Sequence, residues 1–439
     1  MPAGSAVVVG GGHNGLVAAI MMADAGWDVL VLEEQERLGG AVFSDRSLHP
    51  EFVTDWYSAF YPLAAASPVL SALDLEACGL QWSHAPAVLA HVLPDDRCAV
   101  LSRDLDVTAA SLDEFATGDG DAWRTLVAQF ESMREPLLRA LFSTFPPVRG
   151  ALSLYRALGT ADVLRFLRFG VQPVRRAGDE LFDGEGAKLL LAGNALHTDL
   201  PPEAAGSALY GWVLAMLGQT VGFPVPVGGS GMLVTALERR LAAAGGRVRT
   251  GAAVRRIEVR DGTARAVVLA DGERIATDAV LADIGAPLLY ERLLDPAVLP
   301  ERLRQDLKRF QWDCPTMKVD WALSGPIPWT AEGARGAGTL HLGVDMNGLT
   351  RYAGSLAARD LPTPPLVILG QMTTADPSRS PSGTESAWAY THLPENAPDS
   401  PELVGEAVAN LERVIEQHAP GFGELVLARR VQSPADLEA

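Results

Sequence analysis

Three glycines and one acid carry the first chemical signal in the chain. Gly10, Gly12 and Gly15 stand at G-x-G-x-x-G spacing, and Glu33 follows eighteen residues after the last of them. Gly10 permits a tight turn, Gly12 leaves the backbone bare where a pyrophosphate approaches, and Gly15 lets the following helix pack close to the preceding strand. The free N–H groups at the start of that helix, with its positive dipole end, suit phosphate oxygens. Glu33 suits the hydroxyls of an adenosine ribose. The chemistry is recognition of a dinucleotide, FAD or NAD.

The elements that must position these residues are legible around them. Ala6–Val9 is an all-apolar run that reads as a strand buried on both faces. Leu16, Ala19, Ile20 and Ala23 then recur at helical period, Gly26 closes the helix, and Asp28–Leu32 reads as a second strand that ends at Glu33. His13, inside the turn, is a tolerated variable position rather than a base.

Beyond Glu33, Arg37, Gly39 and Gly40 form R-x-G-G, a second place where backbone can approach a cofactor. Taken alone it is equally an ordinary glycine turn with a solvated arginine. With these motifs the chain resembles the FAD-binding amine oxidase and phytoene desaturase superfamily. The resemblance implies an α/β fold: a Rossmann-like FAD/NAD(P)-binding domain with a parallel sheet, from residues 1–66 and 219–295. An α+β substrate domain would come from residues 67–218 and 296–439. It implies FAD contacts for Gly10, Gly12, Gly15, Glu33, Arg37, Gly39, Gly40 and Val254, the last through backbone against the adenine. Ala41 follows G-G where many members have Arg, as in the phytoene dehydrogenase-like branch that includes pyridine nucleotide-disulphide oxidoreductase domain-containing proteins. Members also carry a final glycine-rich segment that returns to the FAD domain. None follows residue 430 here, so the expectation is either a fragment or an FAD pocket open on one side.

The composition narrows the classes further. A net charge of −18 argues against nucleic acid as a partner. Cys78, Cys98 and Cys314 lie far apart with no C-x-x-C, which argues against a disulfide framework, a metal site or paired-thiol redox chemistry. No signal sequence precedes the first strand, so the expected location is cytoplasmic. The uncharged stretch around residues 204–217 would span only ~22 Å as a helix, against the ~30 Å of a bilayer core, and reads as buried or lining an apolar cavity.

Ser111–Met133 reads as a helix with Ser111 as N-cap and Glu114 completing a capping box. The segment 134–176 carries eight arginines against Glu135 and Asp162, a local +6, interleaved with apolar residues at helical spacing. Two readings stand: a solvated cap whose arginines pair with acids, or a peripheral contact with an anionic membrane. Pro226–Met232 contains G-G-S-G ahead of a helix, which resembles the superfamily's return to the FAD domain and would offer N–H groups to cofactor or substrate.

Thr316–Leu323 alternates, with Lys318 and Asp320 on the face opposite Met317, Val319, Trp321 and Leu323. The strand resembles the amine oxidase element that carries a lysine near flavin N5, which makes Lys318 the candidate catalytic residue; a structural Lys318–Asp320 pair on a half-exposed face competes. Trp329 is a candidate aromatic wall in the same region. Residues 336–354 read as glycine-rich turns and 376–383 as a polar loop.

No second G-x-G-x-x-G follows a strand. The leading expectation is therefore an FAD-dependent oxidoreductase that desaturates or oxidises an apolar substrate by hydride transfer to flavin. An NAD-linked dehydrogenase and a non-catalytic binding protein are the alternatives.

Overall fold

A computed structural model describes residues 3–144, 146–395 and 400–438. The first sheet is parallel and four-stranded: β13 (Ala279–Ala282), β1 (Ser5–Val9), β2 (Asp28–Leu32) and β9 (Arg247–Arg249), in that order. Its strands read as apolar runs because both faces are covered. On one face lie α1 (His13–Asp24) and α10 (Gly231–Ala243), which bury Leu16, Ile20, Leu233 and Leu237 against Val8, Val29 and Val31. On the other lies an antiparallel meander of β10 (Val254–Arg260), β11 (Thr263–Leu269) and β12 (Arg274–Ala276), which packs Ile257, Val267 and Leu269 against Val7, Val9 and Leu32. Asp261 and Gly262 turn β10 into β11, both with positive φ.

The second sheet has seven strands, ordered β18 (Val426–Gln432), β14 (Thr316–Leu323), β17 (Glu385–His392), β16 (Val367–Gln371), β15 (Ala337–Leu342), β6 (Ala87–Val92) and β7 (Cys98–Leu101). Only β15 and β6 pair in parallel. One face packs on α14 (Pro401–His418) through Met317, Val319, Trp321, Leu411 and Ile415. The other packs on the helical layer: α4 (Leu105–Asp113), α5 (Asp119–Leu141), α6 (Val148–Val171), α7 (Val174–Leu181), α8 (Glu185–Leu196), α9 (Ser207–Thr220) and α12 (Met346–Ala358). Short elements complete the chain: α2 (Pro62–Ala66), α3 (Pro68–Ala72), α11 (Glu301–Leu307), α13 (Met372–Ala375) and α15 (Pro434–Glu438). Two small ribbons join the sheets, β3 (Ser44–Asp45) with β4 (Thr54–Asp55) and β5 (Trp82–Ser83) with β8 (Val225–Pro226).

Three expectations are corrected here. Ser111 is no N-cap: it lies inside α4, whose cap is Asp104, and its Oγ accepts from Val100 N–H at 2.9 Å. The break falls at residues 114–118, where Gly118 takes a positive φ before α5 begins. Residues 336–354 hold β15 and most of α12, because their glycines serve close packing; a Cβ on Gly338 would lie 3.0 Å from Ala85 and 3.2 Å from Phe60. β14 is buried on both faces, not half-exposed, since β4 and the segment around Arg379 cover the Lys318 face. Residues 376–383 are loop with one short helical turn, as expected, and Arg379 within them is fully buried among carboxylates.

α9 is buried except at its rim, where Tyr210 is half-exposed. Among the described residues no helix is long and apolar enough to cross a membrane.

Candidate functional site

The carboxyl ends of β1, β2, β9 and β13 converge, as ligand sites of open parallel sheets do. Gly10 turns the chain out of β1 at φ +97°, and its N–H donates to Leu32 O at 2.9 Å. Gly12 has φ −65° and ψ 169°, a conformation open to any residue. Its glycine identity therefore concerns space, not backbone freedom. R-x-G-G folds back onto this turn: Gly39 N–H donates to Gly11 O at 2.9 Å, and Gly12 and Gly39 form a parallel bridge. Arg37 lies over the Phe43 ring, 3.7 Å from its centroid, a cation–π contact rather than a free side chain. A cleft of about 560 Å³ opens between Arg37, Phe43 and Ser44 on one side and Gly228, Met232 and Thr235 on the other.

Two acids hold the glycine turn. Glu33, 8% exposed, accepts from Gly11 N–H at 2.7 Å through Oε2 and from Gln35 N–H at 2.9 Å through Oε1. Asp283, just past β13, accepts from Gly15 N–H at 2.7 Å. His13 opens α1, and burial holds its imidazole below the ordinary value, with Asp283 opposing. Val254 begins β10, half-buried, beside Ala252, whose N–H donates to Glu33 O at 2.8 Å.

The G-G-S-G turn departs from its expected role. Its N–H groups are taken by the chain itself: Gly228 donates to Asp376 Oδ2 at 2.8 Å, Ser230 to Asp55 Oδ1 at 2.8 Å and Gly231 to Ser44 Oγ at 3.1 Å. These acceptors belong to a buried ionic network that staples the two sheets. Arg379 donates to Asp55 at 2.8 Å and to Asp376 at 2.9 Å, and Lys318 Nζ donates to Asp55 O at 2.8 Å and to Asp320 Oδ1. Arg430 completes it, donating to Asp320 Oδ2 at 3.0 Å and stacking on Trp56. Burial holds the Lys318 ammonium below its ordinary value, against the opposing pull of Asp320.

The Lys318 face of the seven-stranded sheet continues as an aromatic row. On β17, Trp388 and Tyr390 stack at 5.9 Å, and Phe60 meets Trp388 at 6.0 Å. Tyr390 OH lies 3.4 Å from His197, whose Nε2 lies 3.0 Å from His341 Nε2. Burial lowers His197 and His91 to about 4 and His341 well below its ordinary value, so these imidazoles are neutral. Trp329 is not part of this wall: it packs on the opposite face, in the α14 layer, with its Nε1 donating to Gln371.

The sequence reading missed Asp55, Asp283, Asp376 and Arg379. None sits in a motif, and apart from the Asp376–Arg379 pair their partners lie more than a hundred residues away.

A model of the flavin containing amine oxidoreductases matches residues 15–423. The chain belongs to that family. Its cofactor is FAD. This flavin containing amine oxidoreductase is 26% identical to pyridine nucleotide-disulfide oxidoreductase domain-containing protein 2 of Mus musculus, over 100% of this chain and 82% of that protein. It is 27% identical to a zeta-carotene-forming phytoene desaturase of Myxococcus xanthus, over 90% of this chain and 73% of that one. Its fold matches a putrescine oxidase structure with a TM-score of 0.62 at 16% identity, covering 98% of this chain and 84% of the other.

The residues present fit FAD. The bare face of Gly12 at the start of α1, the buried Glu33 at the end of β2 and the folded-back R-x-G-G together form a dinucleotide cradle.

Proposed function

We propose that this FAD-dependent oxidoreductase oxidises an apolar substrate by removing a hydride equivalent from carbon. The observation that carries the reading is the wall of Phe60, Trp388 and Tyr390 with neutral imidazoles behind it. Aromatic and apolar groups of this kind favour a hydrocarbon, and the carboxylate nearest the row, Asp199, lies 3.3 Å from His392 Nε2. The buried carboxylate on the same strand, Glu385, is already committed: it accepts from Thr373 N–H, Thr374 N–H and Thr374 Oγ1, and burial raises its carboxyl above the usual range. Similarity to proteins named phytoene desaturases supports the same substrate class.

Bound FAD supplies the two-electron acceptor. Gly10, Gly12, Gly15, Gly39 and Gly40 would carry its phosphates close to backbone, Glu33 its adenosine ribose, Val254 its adenine and Arg37 the outer edge. Lys318 has one ammonium hydrogen beyond those given to Asp55 and Asp320, and that donor would stabilise charge on the flavin side of the sheet.

The test is anaerobic mixing of the FAD-loaded chain with polyenes, monoterpene hydrocarbons and primary amines, following loss of oxidised-flavin absorbance. Reduction by the hydrocarbons and none by the amines is expected. Reduction by amines alone overturns the reading.

The segment 134–176 supports a second proposal, peripheral membrane contact. Gly159, at φ +73°, splits α6, and Val148, Leu152 and Tyr155 before it and Leu164, Leu167 and Val171 after it are exposed. Six of the eight arginines are ion-paired, among them Arg165 with Asp162 and Arg168 with Glu180. Among the described residues, Arg149 and Arg156 form no ion pair, which leaves them for anionic headgroups beside the apolar stripe.

A further inference from the structure

The cradle holds an anion of its own. Asp283 follows β13, where its N–H donates to Val9 O at 2.8 Å, so its position is locked to the end of β1. Its Oδ2 accepts from Gly15 N–H at 2.7 Å and lies 2.7 Å from the place a Cβ on Gly12 would take. That place is the bare surface by which a pyrophosphate reaches the start of α1. Gly12, the N-cap, has no side chain to satisfy a helix donor, and Asp283 satisfies that of Gly15 from 268 residues away. Among the described residues Asp283 makes no ion pair; His13 is a neighbouring titratable group, and burial lowers its pKa while Asp283 opposes.

We propose that Asp283 is a stand-in for phosphate at the start of α1 and opposes the pyrophosphate when FAD enters. Two anions at one helix start repel each other, so the carboxylate that accepts from Gly15 N–H weakens cofactor binding. Affinity for FAD is thereby set below what the glycine cradle alone would reach, and FAD occupancy becomes responsive to its concentration. An amide at this position keeps the acceptor for Gly15 and turns a donor toward the phosphate oxygens. The inference rests on FAD binding at the β1–α1 turn.

The experiment compares wild type, Asp283→Asn and Asp283→Ala, measuring dissociation constants for FAD, ADP and riboflavin together with the thermal midpoint of each FAD-free chain. Asp283→Asn is expected to bind FAD and ADP at least tenfold more tightly, with riboflavin, which lacks phosphate, unchanged. Asp283→Ala is expected to lower the midpoint of the FAD-free chain while binding FAD no more weakly than wild type. FAD binding by Asp283→Asn that is equal to or weaker than wild type overturns the proposal, as does an equal gain for riboflavin. Wild type that binds FAD neither at the turn nor elsewhere overturns the FAD assignment and this inference with it.

Discussion

Lys318 on β14 and Tyr390 on β17 are direct cross-strand partners on one face of the seven-stranded sheet. The same row continues through Ile368 and His341 to His91, so a single line across five strands runs from an ionic staple to a neutral aromatic and imidazole wall. Replacing Lys318 with Met leaves Asp320 buried with Arg430 alone, and the expected loss of stability is about 2 to 4 kcal/mol by urea denaturation. Reduction or reoxidation of bound flavin is expected to slow while FAD affinity holds. Equal rates would make Lys318 purely structural.

Glu33 meets two backbone donors in the cradle, and a ribose would use the same oxygens. Glu33→Gln is therefore expected to weaken FAD binding by about 1 to 3 kcal/mol, read as flavin retained after dialysis. Unchanged retention would remove Glu33 from the site.

His91 is fully buried, with Nε2 donating to Val344 O at 2.9 Å, and burial depresses it to about 4. The unfolded chain takes up this proton near pH 6.5 and the folded chain only near 4, so stability is full above pH 6.5 and falls as pH drops toward 4. His91 alone should account for about 2 kcal/mol of loss between pH 7 and pH 5. Urea titrations at both pH values check it, and His91→Gln should flatten that part of the slope.

On α6 the arginines without carboxylate partners, Arg149 and Arg156, are expected to matter more than the paired Arg165 and Arg168. Co-sedimentation with anionic liposomes should fall several-fold in Arg149→Gln/Arg156→Gln and in Leu164→Glu/Leu167→Glu. Binding that survives both double variants contradicts membrane contact.

Where local signals and tertiary demands agree, the elements were legible residue by residue. Pro401–His418 announces α14 because Ser400 caps it, Pro401 starts it and its apolar residues recur at helical period. Thr316–Leu323 announces β14 by alternation, yet alternation says nothing of what covers the polar face, and Lys318 is therefore buried where half-exposure was expected. Glycines in residues 336–354 signal turns in sequence, whereas Gly338 lies in a strand and Gly348 in a helix, each shaved to fit a neighbour. The glycine turn, with Glu33 and R-x-G-G folded against it, was legible because its parts are contiguous. The network of Asp55 and Arg379 was not, since those two residues lie 324 apart in the chain and meet only once both sheets are formed.

The most direct measurement is a titration of the purified chain with FAD, followed by flavin fluorescence and absorbance, beside Gly12→Ala. Backbone conformation at Gly12 suits alanine, so this substitution acts through space: its Cβ would stand on the surface by which a pyrophosphate reaches α1, 2.7 Å from Asp283 Oδ2. One FAD per chain for wild type, with affinity reduced at least tenfold in Gly12→Ala, is the predicted result. Wild type that takes up no FAD, or a Gly12→Ala chain that binds it equally well, would contradict a flavin seated on this turn.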